Sequence, residues 1–231
     1  MSQQSRAQAF LQLHQKHNPV ILYNIWDAGS ALAVEQAGAK ALATGSWSCA
    51  AAQGYQDGEA MPFARLLQAV QRIATVSSLP LTVDFETGYG AERCDHLSAL
   101  LQAGVVGINV EDQQMGLSAL NGIREQSEML SSFRRVAQAQ GVSLFINART
   151  DVFLQQPDAT QHPALMAEAK KRLAAYQVAG ASGFFVPGLS DLTLIAELCA
   201  VSALPVNIMA YSLTPPLAEL TSAGVSRISY G

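Results

Sequence analysis

The chain has 231 residues, of which 49% are hydrophobic and 14% charged, and it carries a formal net charge of −4 at pH 7. That composition supports a large buried core and argues against disorder. A net acidic chain of this kind argues against the two partners that need a basic surface, nucleic acid and anionic membrane.

The first twenty residues, MSQQSRAQAFLQLHQKHNPV, are polar and amphipathic and contain no apolar leader core. The spacing predicts a helix near residues 5–17, with Phe10, Leu11 and Leu13 on its apolar side. Eight short apolar runs follow: VILYNIW (20–26), ALATGS (41–46), LTVDFE (81–86), GINVED (107–112), LFINARTD (144–151), GFFVPG (183–188), PVNIMA (205–210) and RISYG (227–231). Most are continuous rather than alternating, as expected of parallel strands covered on both faces. Segments with helical spacing lie between them, such as FARLLQAVQRIATV and EMLSSFRRVAQAQ. Ala37-Gly38, Ala103-Gly104, Ala179-Gly180 and Ala223-Gly224 each stand just ahead of a strand. Glycine accepts the left-handed conformation that ends a helix, so these pairs read as helix stops.

This alternation predicts an α/β fold, a (β/α)8 TIM barrel over residues 1–231 as one domain. A doubly wound open sheet is the alternative, weakened because no GxGxxG follows the first strand. The chain ends at Gly231, at the close of the eighth predicted strand, so the last helix is expected to be absent from this chain. The apolar seam then left beside strands one and eight predicts a homo-oligomer, a dimer or tetramer. No apolar run reaches the ~18 residues of a membrane span. The three cysteines, Cys49, Cys94 and Cys199, are odd in number and widely spaced. They indicate neither a disulfide framework nor a zinc site; plain buried thiols in a reducing cytoplasm are expected.

In such barrels the active site lies at the C-terminal ends of the strands. Those ends carry Asp27, Ser46, Asp84, Glu86, Glu111, Asp112, Asn147, Arg149, Asp151, Asn207 and Tyr211, and the loop GYQDGE adds Asp57. None of the lysines (Lys16, Lys40, Lys170, Lys171) falls at a strand end, which excludes Schiff-base chemistry of the barrel aldolase type. The histidines fall in helices or loops, which argues against an imidazole metal site. Oxygen donors remain, and they suit a hard cation such as Mg²⁺, which keeps most of its waters and takes one or two carboxylates. In VDFETGYG, Asp84 and Glu86 are expected to share one strand face and to face that ion, with Asp57 and Glu111 near. Arg149 is read as a clamp for a carboxylate or phosphoryl group. Asp27 and Asp112 are read as structural, and Trp47 and Tyr89 as pocket wall.

TGSWS, GYQDGE, VDFETGYG, INVEDQ, INARTDVF and RISYG, in this order from about residue 20 to 231, resemble the isocitrate lyase/phosphoenolpyruvate mutase superfamily. The resemblance implies a Mg²⁺-dependent enzyme (Mn²⁺ as an alternative) that acts on a small 2-oxo acid or dicarboxylate through a metal-bound enolate. Asp84 resembles the direct metal ligand, and Asp57, Glu86 and Glu111 the acids that hold its waters. Ser46 and its neighbouring backbone, beside Trp47, resemble the pocket for the substrate's carboxylate and keto oxygen. Arg149 and Asn207 resemble the residues at its far end; Asp57, Glu111 and Arg149 form the implied catalytic set. The segment Gln113–Ile123 stands where the family carries its lid. The family's lyases have a Lys-Lys-Cys-Gly-His loop there, whereas this chain reads EDQQMGLSALNGIREQ. C–C cleavage without a catalytic cysteine, or oxaloacetate decarboxylation, is the expected reaction. The alternatives are a P–C mutase or phosphonopyruvate hydrolase, and a barrel that binds a metabolite without catalysis.

Overall fold

A computed structural model describes residues 2–231. Eight parallel strands close a barrel in sequential order: β1 (Val20–Ile25), β2 (Leu42–Thr44), β3 (Leu81–Asp84), β4 (Gly107–Glu111), β5 (Phe145–Arg149), β6 (Gly183–Phe185), β7 (Val206–Ala210) and β8 (Arg227–Tyr230). The barrel closes where β1 pairs with β8 in the register Val20↔Arg227 to Tyr23↔Tyr230. This is the (β/α)8 barrel expected from the eight apolar runs.

The helices are α1 (Gln3–Gln12), α2 (Ala28–Gln36), α3 (Ser46–Ala52), α4 (Phe63–Val76), α5 (Arg93–Gln102), α6 (Ile123–Ala139), α7 (His162–Val178), α8 (Leu192–Val201) and α9 (Leu217–Ser222). Their sequences explain their seating. In α4 the buried residues are Leu66, Val70 and Ile73, spaced to form one stripe facing the sheet. Four of the helices end as their Ala-Gly pairs predict. Ala37, Ala103, Ala179 and Ala223 are right-handed C-caps, and the glycines after them have φ between 91° and 97°. Asp27 caps α2, accepting a hydrogen bond from the Ser30 N–H at 2.7 Å, which is the structural role read for it.

The N-terminal helix differs from its expected span. It stops at Gln12 because Leu13 is already the C-cap and the chain then turns through a Gln15–Asn18 bridge. Phe10 is buried, but Leu11 is half exposed and is not part of the apolar side. The helix floors the barrel. Phe10 packs beneath the strands with Val20, Leu22, Ala41, Ala43, Val106 and Phe145. Gly107 makes room for it, since a Cβ there would stand 2.8 Å from both the Phe10 ring and Thr82 Oγ1. Of the cysteines, Cys49 and Cys199 are buried as expected, whereas Cys94 is only half-buried, its sulfur 3.7 Å from Ser132 Oγ.

The floor also holds unusual polar groups. His14 stacks on Phe145 at 4.0 Å, and its Nδ1–H donates to the Phe10 carbonyl. Above it, Arg227 is fully buried, and among the described residues its side chain makes one hydrogen bond, from Nε to Ser229 Oγ at 3.1 Å. Burial, reinforced by the Arg227 charge, pushes the His14 pKa down to about 3. The unfolded chain, with a histidine pKa near ~6.5, therefore takes up this proton first. Stability is complete above pH ~6.5 and is lost as pH falls toward 3, at up to ~1.4 kcal/mol per pH unit. Urea unfolding between pH 7.5 and 4.5 should show that His14→Phe removes this slope. At pH 4.5 the wild type should have lost roughly 2–3 kcal/mol more than the variant.

Candidate active site

The polar strand ends converge where the barrel rule places them. Asp84 is the last residue of β3 and is almost buried. Its backbone N–H donates to Thr44 Oγ1 at 2.9 Å, and its Oδ2 accepts from the Ser46 N–H at 3.3 Å. Ser46 opens α3, directly after Gly45. Glu86 does not share a strand face with Asp84, because β3 has already ended and Glu86 sits in the left-handed region at φ +47°. The turn of VDFETGYG, rather than strand alternation, brings the two acids together. Glu86 is also engaged at both oxygens: Oε1 accepts from the Tyr89 hydroxyl and Oε2 from the Glu59 N–H, each at 2.6 Å. Glu59 in turn points its Oε1 at the Thr87 N–H, the Thr87 hydroxyl and the Tyr89 N–H, at 2.7–2.9 Å. Asp57, two residues before Glu59, is exposed. Its charge is near enough to raise the carboxyls of both Asp84 and Glu86.

Glu111 ends β4 and lies in register with Arg149 at the end of β5. Arg149 Nη1 donates to Glu111 Oε2 at 2.8 Å, while Nε and Nη2 donate to the two oxygens of Asp151 at 2.6 and 2.9 Å. A guanidinium has five N–H groups. Three are held by these acids, so two remain for a ligand.

Burial governs the ionisation of this group of acids. It pushes Glu86 up to about 7, with help from Asp84, and Glu111 up to about 8, against the Arg149 charge and with Asp84 adding to it. Asp84 is raised mainly by burial, partly relieved by Arg149 and the Ser46 N–H. Burial opposes the Arg149 charge, but Glu111 and Asp151 more than offset it. Among the described residues, no three His, Cys, Asp or Glu side chains stand close enough to chelate one ion by themselves. The donor set instead fits a hard cation that retains its waters: Asp84, with Glu86 and Glu111 near it and each raised by burial.

The remaining sequence-predicted residues fall in different places. Trp47, on α3, is two-thirds exposed. Asn207 is sealed within β7 and paired with the Ser229 hydroxyl at 3.2 Å. Asp112 is structural, as read: it is buried and takes Arg172 at 2.9 Å, the Tyr176 hydroxyl at 2.8 Å and the Asp151 N–H at 3.0 Å. The segment expected as a lid is a tight loop rather than a helix, closed by a Gln113–Leu120 bridge and by the Asn121 N–H on the Asp112 carbonyl. Two contributors went unassigned in the sequence. Asp151 was visible as one of the strand-end acids, and the R-x-D spacing that lets it grip Arg149 was its signal. Glu59 carried no signal beyond its place in QDGE.

The family model for phosphoenolpyruvate phosphomutase matches residues 10–231. The chain is 28% identical over 243 residues to 2-methylisocitrate lyase of Escherichia coli K12, covering all of this chain and 79% of that one. It is 29% identical over 187 residues to oxaloacetate decarboxylase of Paraburkholderia xenovorans, covering 77% of this chain and 59% of that one. A solved protein of Burkholderia cenocepacia J2315, provisionally called a phosphonomutase, is 43% identical. It superimposes with a TM-score of 0.96 over all of this chain and 92% of its own. A match of this extent, over the strands that carry the acid cluster, places the chain in the phosphoenolpyruvate phosphomutase family of the isocitrate lyase superfamily.

Proposed function

We propose that the protein is a Mg²⁺-dependent lyase-type enzyme that acts on a small 2-oxo acid or related carboxylate through an enolate. Mn²⁺ is the alternative ion. C–C cleavage or oxaloacetate decarboxylation is the reaction. The observation that carries this reading is the meeting of Asp57, Asp84, Glu86 and Glu111 from the ends of three consecutive strands, next to a clamped Arg149. Asp84 would hold the ion directly, and Asp57, Glu86 and Glu111 would hold its waters. When bound, such a cation polarises a keto oxygen and stabilises the negative charge that develops on it.

The chain's own residues do the rest. Ser46 and the adjacent backbone N–H groups at the start of α3 receive the substrate's carboxylate and keto oxygen. Arg149 presents its two uncommitted N–H groups to the far carboxylate, its plane fixed by Glu111 and Asp151. The relatives supply the range of reactions, since they include a 2-methylisocitrate lyase and an oxaloacetate decarboxylase.

Calorimetric titration with oxalate, an enolate mimic, checks the reading. Oxalate should bind far more tightly in Mg²⁺ than in EDTA. Asp84→Asn should weaken that binding on the order of 100-fold, since losing even an outer-sphere partner costs 10- to 100-fold. Asp27→Ala should cost ~1 kcal/mol of stability, as a lost N-cap does, and leave oxalate affinity intact. If Mg²⁺ makes no difference to oxalate, the reading fails and a non-catalytic barrel takes its place.

The protein also acts as a homo-oligomer in this reading. Tyr23 of β1 stacks on Tyr230 of β8 at 4.8 Å, both exposed. A groove of roughly 480 Å³ opens beside them, lined by Leu13, Val20, Ile21, Tyr23 and Val34. Light scattering should give a multiple of 24.5 kDa. A single-chain mass at micromolar concentration would remove the oligomer from the proposal.

A further inference from the structure

We infer that Glu59 is a positioning residue, whose carboxylate locks the loop carrying Asp57 to the Gly-Tyr-Gly turn and so sets where Asp57 stands. The inference rests on the reading of Asp57 as one of the acids that hold the ion's waters.

Three non-glycine residues here sit in the left-handed region: Glu59 at φ +58°, Glu86 at +47° and Tyr89 at +62°. Side chains seldom adopt this conformation, and it persists only where the surroundings impose it. What imposes it is a closed set of hydrogen bonds. Glu59 Oε1 takes the Thr87 N–H, the Thr87 hydroxyl and the Tyr89 N–H, at 2.9, 2.7 and 2.8 Å. In return the Glu59 N–H donates to Glu86 Oε2, and the Tyr89 hydroxyl to Glu86 Oε1, both at 2.6 Å. Each loop therefore holds the other through a glutamate. Glu59 Oε1 is thus committed to three donors of the facing loop. One residue, Gly58, separates Asp57 from this lock. Gly58 is at φ +87°, and a Cβ there would lie 3.1 Å from Met115 Cε. Asp57 thus hangs from a fixed point with one residue between, itself held in the left-handed region.

What the lock requires is an acceptor oxygen rather than a charge. Glu59→Gln keeps one, and Glu59→Ala removes it. In calorimetry with Mg²⁺ and oxalate, Glu59→Ala should weaken oxalate at least 10-fold, and Glu59→Gln should stay within 3-fold of wild type. Hydrogen exchange without metal should show the Thr87 and Tyr89 amides losing protection in Glu59→Ala only. The double variant Asp57→Asn/Glu59→Ala should bind no worse than Asp57→Asn alone, because residues acting as a unit are non-additive. If Asp57→Asn weakens oxalate but Glu59→Ala does not, or if the two losses add, Glu59 does not act through Asp57 and the inference is overturned. If Asp57→Asn itself has no effect, the functional reading of Asp57 fails, and the positioning role fails with it. Should Glu59→Ala not fold, Glu59→Asp, which withdraws the carboxylate by one methylene, is scored in the same way.

Discussion

A carboxylate taken out of water must be given a partner, and the rim of this barrel is arranged around that constraint. Each buried acid has a different solution. Asp112 is neutralised by Arg172 and by the Tyr176 hydroxyl, which ties the end of β4 to α7. Glu111 and Asp151 divide one guanidinium between them. Glu86 receives a phenol and a backbone N–H, and Asp84 a long N–H contact from Ser46 with the more distant help of the Arg149 charge. Charge compensation thus runs out toward Asp84, where β2, β3 and β4 end together. The fold is needed for this, because only a closed sequential barrel sets those three ends beside β5 and its arginine.

The same pattern explains what the sequence could and could not convey. Strands covered on both faces are mostly apolar, so all eight were legible as short runs. Helix ends that need a left-handed residue were legible from Ala-Gly. The acids were legible because barrel topology converts a position at a strand end into a position in space. Partnerships were not. That Glu86 lies on a turn rather than on the face of β3 depends on a backbone conformation that Glu59 and Tyr89 impose from outside. That Arg149 is shared between two acids depends on the β4–β5 register. That α1 stops at Gln12 depends on the floor it must fit, where Phe10 enters the space left by Gly107.

The floor carries the opposite imbalance. Arg227 is buried with both terminal nitrogens unpaired, and His14 below it has a bare Nε2. A desolvated guanidinium is costly, and burial pushes its pKa down to about 9. Asp84 is the acid whose field favours that charge. Arg227 also holds Ser229, and Ser229 holds Asn207, so the buried cation is tied into the polar layer under the site.

The loop after β4 bears on which reaction the proposed enzyme would favour. Retro-aldol cleavage breaks a C–C bond beside an alcohol and needs a base to take the hydroxyl proton as the carbonyl forms. Decarboxylation of a 2-oxo acid bearing a carboxylate at C3 needs no such base. The electrons of the breaking C–C bond pass into the enolate, and CO₂ leaves with no proton removed. The residues of 113–123, QQMGLSALNGI, contain no group that titrates near neutrality. Glu111 is bound to Arg149. Tyr89 is held to its proton, its pKa raised by burial and then by the Glu86 carboxylate that accepts its hydrogen bond. In the proposed reading decarboxylation would therefore ask least of residues 113–123, whereas aldol cleavage would have to draw its base from the acids of the site itself, of which burial pushes Glu86 up to about 7. The single proton needed afterwards, to turn the enolate into product, is one that water can deliver.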